Sequence, residues 1–440
     1  MNPLCWKTEG IFDISNMDIK QLYSIFLQQE QKVVTDNRKV EKGAIFFALK
    51  GDNFNANLFA VSAIEAGCAC AVVDDSSINH PKCIVVNDVL KTMQDLATYH
   101  RRQFKIPVLG ITGTNGKTTT KELVNAVLST QFKVHYTRGN LNNHIGVPLT
   151  LLAMPSDTEI AIIEMGANHP WEIDFLCKIA EPNYGMVTNM GKAHLEGFGG
   201  FEGVIKTKSE MYQFAQANNG KVFVNASDTL LLKQSAPNVQ RLFYQDENVN
   251  GVSLGGATVK FKLNVKGESV EVNSKLFGDH NLINMVAAAR VGVEFGVSLA
   301  NIQKALEAYT PDNNRSQVAV SDKGNTLIWD AYNANPTSMA AAVNAFAKTN
   351  GLNKIAILGD MLELGDESEI EHTNMVKLLD ELKLKVILVG PEFAKCAANH
   401  SSYLSVMELK EYLQQNSLSH YSILIKGSRG IKLEQLKEVL

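Results

Sequence analysis

The 440-residue chain lacks most of the features that would place it in a specialised class. It has no excess of positive charge: 42 Lys and Arg stand against 46 Asp and Glu, a net charge of −4, so there is no electrostatic footprint for nucleic acid or an anionic membrane. It has no stretch of the roughly 18 apolar residues a membrane span needs. Its first residues, MNPLCWKTEGIF, have neither the basic nor the apolar region of an export signal. A cytoplasmic protein without membrane insertion is expected. Cysteine is scarce, with six residues (Cys5, Cys68, Cys70, Cys83, Cys177, Cys396) too scattered for a disulfide framework or a zinc site, so reduced and mostly buried thiols are expected. No G-x-S-x-G or H-E-x-x-H occurs, which removes the signatures of an α/β-hydrolase nucleophile and of a zinc protease.

The composition is that of ordinary globular protein, 45% apolar and 20% charged, and the length suggests about three domains. The most informative stretch is Ile106 to Leu128 (IPVLGITGTNGKTTTKELVNAVL). A short β-branched apolar run stops at Gly113-Thr114-Asn115-Gly116-Lys117-Thr118, and from Thr119 the residues Leu123, Val124, Val127 and Leu128 line one helical face. Strand, glycine turn and helix make a phosphate cradle. Helix-start N–H groups and the helix dipole favour an anion there, Lys117 adds a point charge, and the Thr118 hydroxyl suits Mg²⁺. The usual pattern is G-x-x-x-x-G-K-[ST]; here Ile111 takes the first glycine's place, so the loop is a tighter G-T-N-G-K-T. An ordinary strand–turn–helix connection is the alternative, and the context favours a nucleotide triphosphate.

Residues 1–88 read as a small α/β unit: a helix over Met17–Gln31, a strand over Ala44–Leu49, a helix over Phe59–Gly67, and strands at Cys70–Val73 and Cys83–Val86. Two polar clusters, Thr35–Arg38 and Lys50–Asn57, are either plain turns or a pocket for an anionic ligand charged by Arg38 and Lys50. Residues 89–312 read as the central domain, which an amphipathic helix over Val89–Phe104 leads into. A long polar loop, Tyr136–Pro148, follows the phosphate loop. The strand Ile160–Ile163 ends at Glu164, where a second metal ligand belongs, although strand-end glutamates also serve as solvated caps. His194 lies on the glycine-rich loop after Met186–Asn189, equally open to a metal or phosphate contact and to a structural role. Lys206, Lys208 and Glu210 follow on a helix. Thr258–Val265 and Ser269–Val272 alternate as an antiparallel hairpin, Leu282–Val293 is helical, and Tyr309–Asn314 reads as a linker.

Residues 313–440 alternate strands and helices, with parallel strands expected at Thr326–Trp329, Ile355–Leu358, Val386–Val389 and Tyr421–Ile425. Three of these lead into polar loops, Asp330–Pro336, Gly359–Gly365 and Lys426–Gly430, the position where such sheets bind ligands. No G-x-G-x-x-G follows the first of these strands, so no dinucleotide site is assigned. A nucleotide domain between two α/β domains suits ATP-driven joining of two substrates through an activated carboxylate. A GTPase-type switch and a nucleotide-gated binding protein are the rivals; Asn353-Lys354 does not continue as the guanine-reading N-K-x-D.

The motifs G-T-N-G-K-T-T (Gly113–Thr119), E-M-G-A (Glu164–Ala167), T-N-M-G-K-A-H-L-E-G-F-G (Thr188–Gly199) and G-D-H-N (Gly278–Asn281) resemble those of the Mur ligases of peptidoglycan synthesis. D-A-Y-N-A-N-P-T-S-M (Asp330–Met339) and L-G-D-M-L-E-L-G (Leu358–Gly365) resemble the branch of that family that adds a dipeptide. The resemblance covers nearly the whole chain. It implies an α/β fold of three domains: a small N-terminal domain for the UDP-sugar, a central P-loop ATPase domain with a mostly parallel sheet plus an antiparallel hairpin, and a C-terminal Rossmann-like domain. It implies a monomer using ATP and Mg²⁺ to join D-Ala-D-Ala to UDP-MurNAc-tripeptide. Carried over by position, Gly113, Thr114, Asn115, Gly116, Lys117, Thr118 and Thr119 would hold the phosphates. Thr118, Glu164 and His194 would serve metal ions, and Asn281, Arg315 and Asp330 the rest of the nucleotide. Asn143 would line the cleft, Asn333 and Asn335 would hold the dipeptide, and Asp36, Arg38 and Lys50 the UDP-sugar. Lys208 falls where several relatives carry a carbamylated lysine; carbamylation and an unmodified lysine near the phosphates are both open. The N-terminal clusters depart from the family's D-S-R and D-G-H patterns.

Overall fold

The computed structural model describes residues 18–256, 258–311, 315–349 and 353–440. The chain forms two compact bodies, the first from residues 1–108, 135–165 and 175–182 and the second from 109–134, 166–174 and 183–440.

In the first body, four short strands (Val33–Val34, Ile45–Phe47, Cys70–Val73 and Cys83–Val85) pair in parallel in that spatial order. Their apolar runs are buried throughout the two central strands, as expected of parallel strands covered on both faces. The Val89–Arg101 helix packs in this body against Ile19–Gln28 and Gly146–Leu152. Its last turn is tied down by Arg101, whose guanidinium donates to the carbonyls of Phe104, Ala180 and Glu181. Four of the cysteines (Cys68, Cys70, Cys83, Cys177) are buried free thiols and Cys396 is half-buried; burial pushes the Cys70 thiol up to about 12. Cys5 lies outside the described residues.

In the second body, Val108–Thr112 pairs in parallel with Tyr184–Val187, which continues to Lys221–Asn225 and Gln240–Tyr244. The expected hairpin is real and has a third strand: Val249–Ser253 joins Thr258–Val265 and Glu268–Phe277 in an antiparallel sheet. Gly251 hides that strand from the alternation pattern. A Cβ there would come within 2.6 Å of Val286 on the His280–Glu294 helix, so the glycine allows the helix to lie against the sheet.

The last sheet has the order Gln317–Val320, Thr326–Asp330, Ser422–Lys426, Lys354–Gly359, Val386–Val389, Ser401–Tyr403. The four expected strands are parallel, and the first edge strand, unforeseen, is antiparallel. Because Ser422–Lys426 lies between Thr326–Asp330 and Lys354–Gly359, all three polar loops leave the same edge at neighbouring strands. That is the switch-point geometry in which open α/β sheets bind ligands. The 312–314 part of the expected linker lies outside the described residues, and among the described residues no helix is long and apolar enough to cross a membrane.

Candidate functional site: a phosphate loop bonded to the C-terminal sheet loops

The phosphate loop owes its shape to two glycines. Gly116 is left-handed (φ 78°) and caps the Lys117–Leu128 helix without contributing a side chain, so no side chain covers the helix N-terminus. Gly113 has φ 139°, and a Cβ there would stand 2.0 Å from Thr188 Oγ1. The loop is pinned to the end of Tyr184–Val187. The Thr114 N–H donates to Asn189 O (3.0 Å), Asn115 N–H to Asn189 Oδ1 (2.9 Å), and Thr188 Oγ1 to Asn115 O (2.6 Å). Lys117 Nζ curls back over the loop to donate to Gly113 O (2.6 Å) and Thr114 O (3.0 Å). Thr118 and Thr119 are buried on the first turn.

On the other side the loop meets residues far along the chain. Asn115 and Asn335 exchange amide hydrogen bonds, the shorter from Asn335 Nδ2 to Asn115 Oδ1 at 2.7 Å. Asn335 also caps the Pro336–Ala347 helix, accepting from Ser338 N at 2.9 Å. It is buried, whereas its expected partner in holding a substrate, Asn333, is exposed. Thr114 Oγ1 donates to Gly191 O (3.1 Å) and accepts from Gly191 N (2.9 Å). Lys192 pairs with Glu371 at 2.6 Å, a bond that raises the lysine's pKa.

His194 adopts φ 51° and places Nδ1 2.5 Å from Glu363 Oε2, leaving Nε2 as the ring nitrogen for any further ligand. The same contact holds the Glu363 carboxyl below its ordinary range. The Lys208 ammonium lies 5.4 Å from the Phe198 ring centroid, and the His194 ring meets the same phenyl edge-on. Burial, reinforced by the Lys117 charge, drives the Lys208 pKa well down, favouring a neutral amine, the form that carbamylation requires. Glu210, on the same helix, is not solvated: its carboxylate accepts from Trp171 N and Asp174 N, both at 2.9 Å.

In the Lys208→Met variant there is no lysine to deprotonate on burial, so its melting temperature should exceed the wild type's by about 2 °C at neutral pH. In the wild type the unfolded lysine binds a proton that the folded one gives up, so stability rises with pH between the depressed folded pKa and the unfolded value near 10.4. The gap between the two melting curves therefore narrows towards pH 10. A constant gap across that range would contradict the depressed pKa.

Asp330 is fully engaged: Oδ1 accepts from Ser316 N (3.1 Å) and Oδ2 from Lys426 Nζ (2.6 Å). The Arg315 guanidinium carbon lies over the Tyr332 ring, 3.8 Å from its centroid, with that of Arg429 at 5.3 Å from the same centroid. Arg315 Nε is buried with no hydrogen-bond partner among the described residues. Asn281 is 2% exposed, with its amide committed within the protein. The sequence alone makes Lys426 part of a polar loop; its signal, a lysine ending a buried strand opposite an aspartate, appears once the register pairs Asp330 with Lys426.

In the first body, Glu164 ends its strand buried, with its N–H on Thr137 Oγ1 (3.0 Å) and Oε1 accepting from Asn142 Nδ2 (2.8 Å). Its neighbour Asn143 is exposed and accepts from the N–H groups of Ile145 and Gly146, opening a helix over Gly146–Leu152 that the polar loop conceals. Arg38 forms a bidentate pair with Asp36 (2.8 Å at both contacts), holding that carboxyl down at about 2. Lys50 pairs with Asp74 at 2.7 Å, and Asn57 bonds to the same carboxylate at 2.8 Å. Both expected cations of the N-terminal pocket are thus neutralised within the chain.

A phosphate fits the loop, because the left-handed Gly116 turn leaves the helix start without a side-chain cap. Of the expected metal donors, Thr118 and Glu164 offer hard oxygens, a hydroxyl and a carboxylate, of the type Mg²⁺ takes, and His194 offers an imidazole nitrogen. No group of three His, Cys, Asp or Glu is assembled among the described residues.

Comparison with known proteins agrees with this chemistry. Residues 111–292 match the Mur ligase middle domain and residues 314–429 the Mur ligase glutamate ligase domain. A UDP-N-acetylmuramoyl-tripeptide–D-alanyl-D-alanine ligase from Bacillus subtilis is 36% identical, over 93% of each chain. The ligase of the same name from Escherichia coli is 33% identical, again over 93% of each. The crystal structure of MurF from Acinetobacter baumannii superposes with a TM-score of 0.85 at 33% identity, covering 92% of both chains. MurF from Thermotoga maritima, in complex with ADP, does so at 0.83 and 26% identity, covering 93% of this chain and 97% of that one. The chain belongs to the Mur ligase family, in its UDP-N-acetylmuramoyl-tripeptide–D-alanyl-D-alanine ligase branch.

Proposed function

We propose that the chain is the ATP-dependent ligase that joins D-Ala-D-Ala to UDP-MurNAc-tripeptide, giving the UDP-MurNAc-pentapeptide precursor of peptidoglycan. The observation that carries this reading is the Asn115–Asn335 amide pair. It sets the phosphate loop against the D-A-Y-N-A-N-P loop of the C-terminal sheet, as a reaction between a phosphorylated carboxylate and a bound amine requires.

Gly113 to Thr119 cradle the triphosphate. Lys117 neutralises charge on the transferred phosphoryl group, while Thr118, Glu164 and His194 serve the metal. Mg²⁺, when bound, supplies charge neutralisation on the phosphate oxygens. Lys208 supports the same group, as an amine or as its carbamate. Arg315 and Asp330 take the nucleotide from the C-terminal side, with Asn281 as the buried anchor of that wall. Asn333, being exposed, meets the dipeptide directly, and Asn335 shapes the loop that presents it. Asn143 lines the cleft. Asp36, Arg38 and Lys50 take the UDP-sugar, the two cations exchanging their carboxylate partners for the ligand's phosphates. The proposed division is 1–88 for that substrate, 89–312 for ATP and 313–440 for the ligase domain, in a cytoplasmic monomer.

The test is phosphate release with UDP-MurNAc-tripeptide, ATP and D-Ala-D-Ala, each omitted in turn. Turnover that needs all three is expected. Full activity with a single amino acid and none with the dipeptide would overturn the substrate assignment, and substrate-independent GTP hydrolysis would overturn the ligase.

A further inference from the structure

The three polar loops at the edge of the C-terminal sheet are bolted together by one buried residue, Ser428. Its N–H donates to Asp360 O (3.1 Å), and its hydroxyl accepts from Leu362 N (2.9 Å) and donates to Ala334 O (3.4 Å). Gly427 allows the close approach, since a Cβ there would stand 2.9 Å from Gly359 Cα. The next residue, Arg429, therefore projects from a fixed backbone. Its guanidinium carbon lies 5.3 Å from the centroid of the Tyr332 ring, which it shares with Arg315. A planar cation resting on an aromatic face is held in place without being neutralised. The acids nearby are already engaged. Asp330 accepts from Lys426 and Ser316, Asp360 from the N–H groups of Glu392 and Phe393 (2.9 and 2.8 Å), and Glu363 holds His194. Arg429 is exposed, and among the described residues no carboxylate pairs with it.

The mouth of the sheet thus offers two guanidinium groups on one ring, the more enclosed Arg315 and the exposed Arg429, for two different anions. Arg315 serves the nucleotide. The other anion is on the second substrate, because a dipeptide carries a carboxylate at the end opposite its reacting amine, and a guanidinium fork matches a carboxylate bidentately. The spacing agrees. An extended dipeptide spans about 7 Å, and Tyr332 stands three positions before Asn335, the residue that meets the phosphate loop at Asn115, so at most about 11 Å of backbone separates the two. We propose that Arg429 anchors the free carboxylate of the incoming dipeptide and so makes the enzyme select both a terminal negative charge and a length of two residues. In a single amino acid the amine and the carboxylate share one Cα. Held at Arg429, such a substrate brings its amine short of the activated carboxyl by one residue, about 3.5 Å. The proposal rests on the D-Ala-D-Ala ligase reading.

Steady-state kinetics with D-Ala-D-Ala and with its C-terminal amide test it, in the wild type, Arg429→Met and Arg429→Lys. The amide keeps the length, the stereochemistry and the reacting amine and removes only the negative charge. In the wild type its KM should lie about 100-fold above that of the acid. Arg429→Met should raise KM for the acid by a similar factor and KM for the amide by no more than about threefold, so the discrimination disappears. KM for ATP and for UDP-MurNAc-tripeptide should not move. Arg429→Lys keeps the charge without the fork and should raise KM for the acid about tenfold. If Arg429→Met does not fold, Arg429→Lys still decides, since a wild-type KM for the acid in that variant refutes a bidentate anchor. An Arg429→Met enzyme that still prefers the acid about 100-fold overturns the proposal. So does a rise confined to KM for ATP, which would give Arg429 to the nucleotide phosphates. A wild type that uses neither dipeptide ends the D-Ala-D-Ala reading itself, whereas one that uses acid and amide equally well ends only this inference.

Discussion

Lys117→Met lowers the rate of phosphate release by about 10³-fold at saturating substrates, with a change in melting temperature of no more than about 2 °C. Methionine keeps the length and apolar stem of lysine, so the helix start is preserved and the ammonium is what is lost. In the present structure that ammonium donates to Gly113 O and Thr114 O, at 2.6 and 3.0 Å, holding a cation over the concave face of the loop. Phosphoryl transfer develops charge on oxygens the protein can only position and neutralise, so a single fixed cation has a large share in the barrier. About 4 kcal/mol of transition-state stabilisation corresponds to that rate loss. The carbonyls of buried Gly113 and half-buried Thr114 lose their donor as well, a cost of about 1 kcal/mol that falls on stability rather than on the transition state. A variant that keeps more than a tenth of wild-type turnover would remove Lys117 from the chemistry.

The phosphate loop was legible because its signal is local. An apolar run, two glycines and a helical stripe lie within 23 consecutive positions, and each constrains the backbone directly. The parallel strands of the last sheet were legible for the same reason, since buried β-branched runs need no partner to be recognised. What the sequence hid is what depends on register. Lys426 gains meaning only when Ser422–Lys426 inserts beside Thr326–Asp330 and brings it 2.6 Å from Asp330. Asn284 reads as one more residue of a small-residue helix until Gly116 closes on its amide. Asn142 bonds Glu164, a pairing across the polar loop that no spacing rule reveals. The edge strand Gln317–Val320 and the strand around Gly251 escaped because one is short and half-exposed and the other carries a glycine where a helix approaches. Arg38 and Lys50 show the converse: correctly seen as cations, they are already paired with Asp36 and Asp74, which their neighbours in sequence only half disclose.

The second large effect is steric, and it is expected from one methyl group. Gly113→Ala should raise KM for ATP at least about 100-fold and destabilise the second body by roughly 3 kcal/mol. Two independent costs combine. The backbone at φ 139° is one that L side chains rarely adopt, and the added Cβ would stand 2.0 Å from Thr188 Oγ1 and 2.9 Å from Thr188 N. Thr188 cannot swing aside cheaply, because its hydroxyl is hydrogen-bonded to Asn115 O at 2.6 Å and so ties the same loop together. Relief therefore comes only by displacing the loop from the Thr188–Asn189 strand end, which releases the N–H groups of Thr114 and Asn115 from their fixed partners and spoils the cradle. Gly267→Ala is the matched control: its φ of 90° is also positive, but nothing lies within 4 Å of the new Cβ, so only the backbone cost of about 1 kcal/mol remains. Calorimetric melting with and without an ATP analogue separates the two terms. The control should lose stability yet keep the full nucleotide-induced shift in melting temperature. Gly113→Ala should lose both, and a normal nucleotide shift in that variant would mean that the Thr188 contact does not shape the phosphate site.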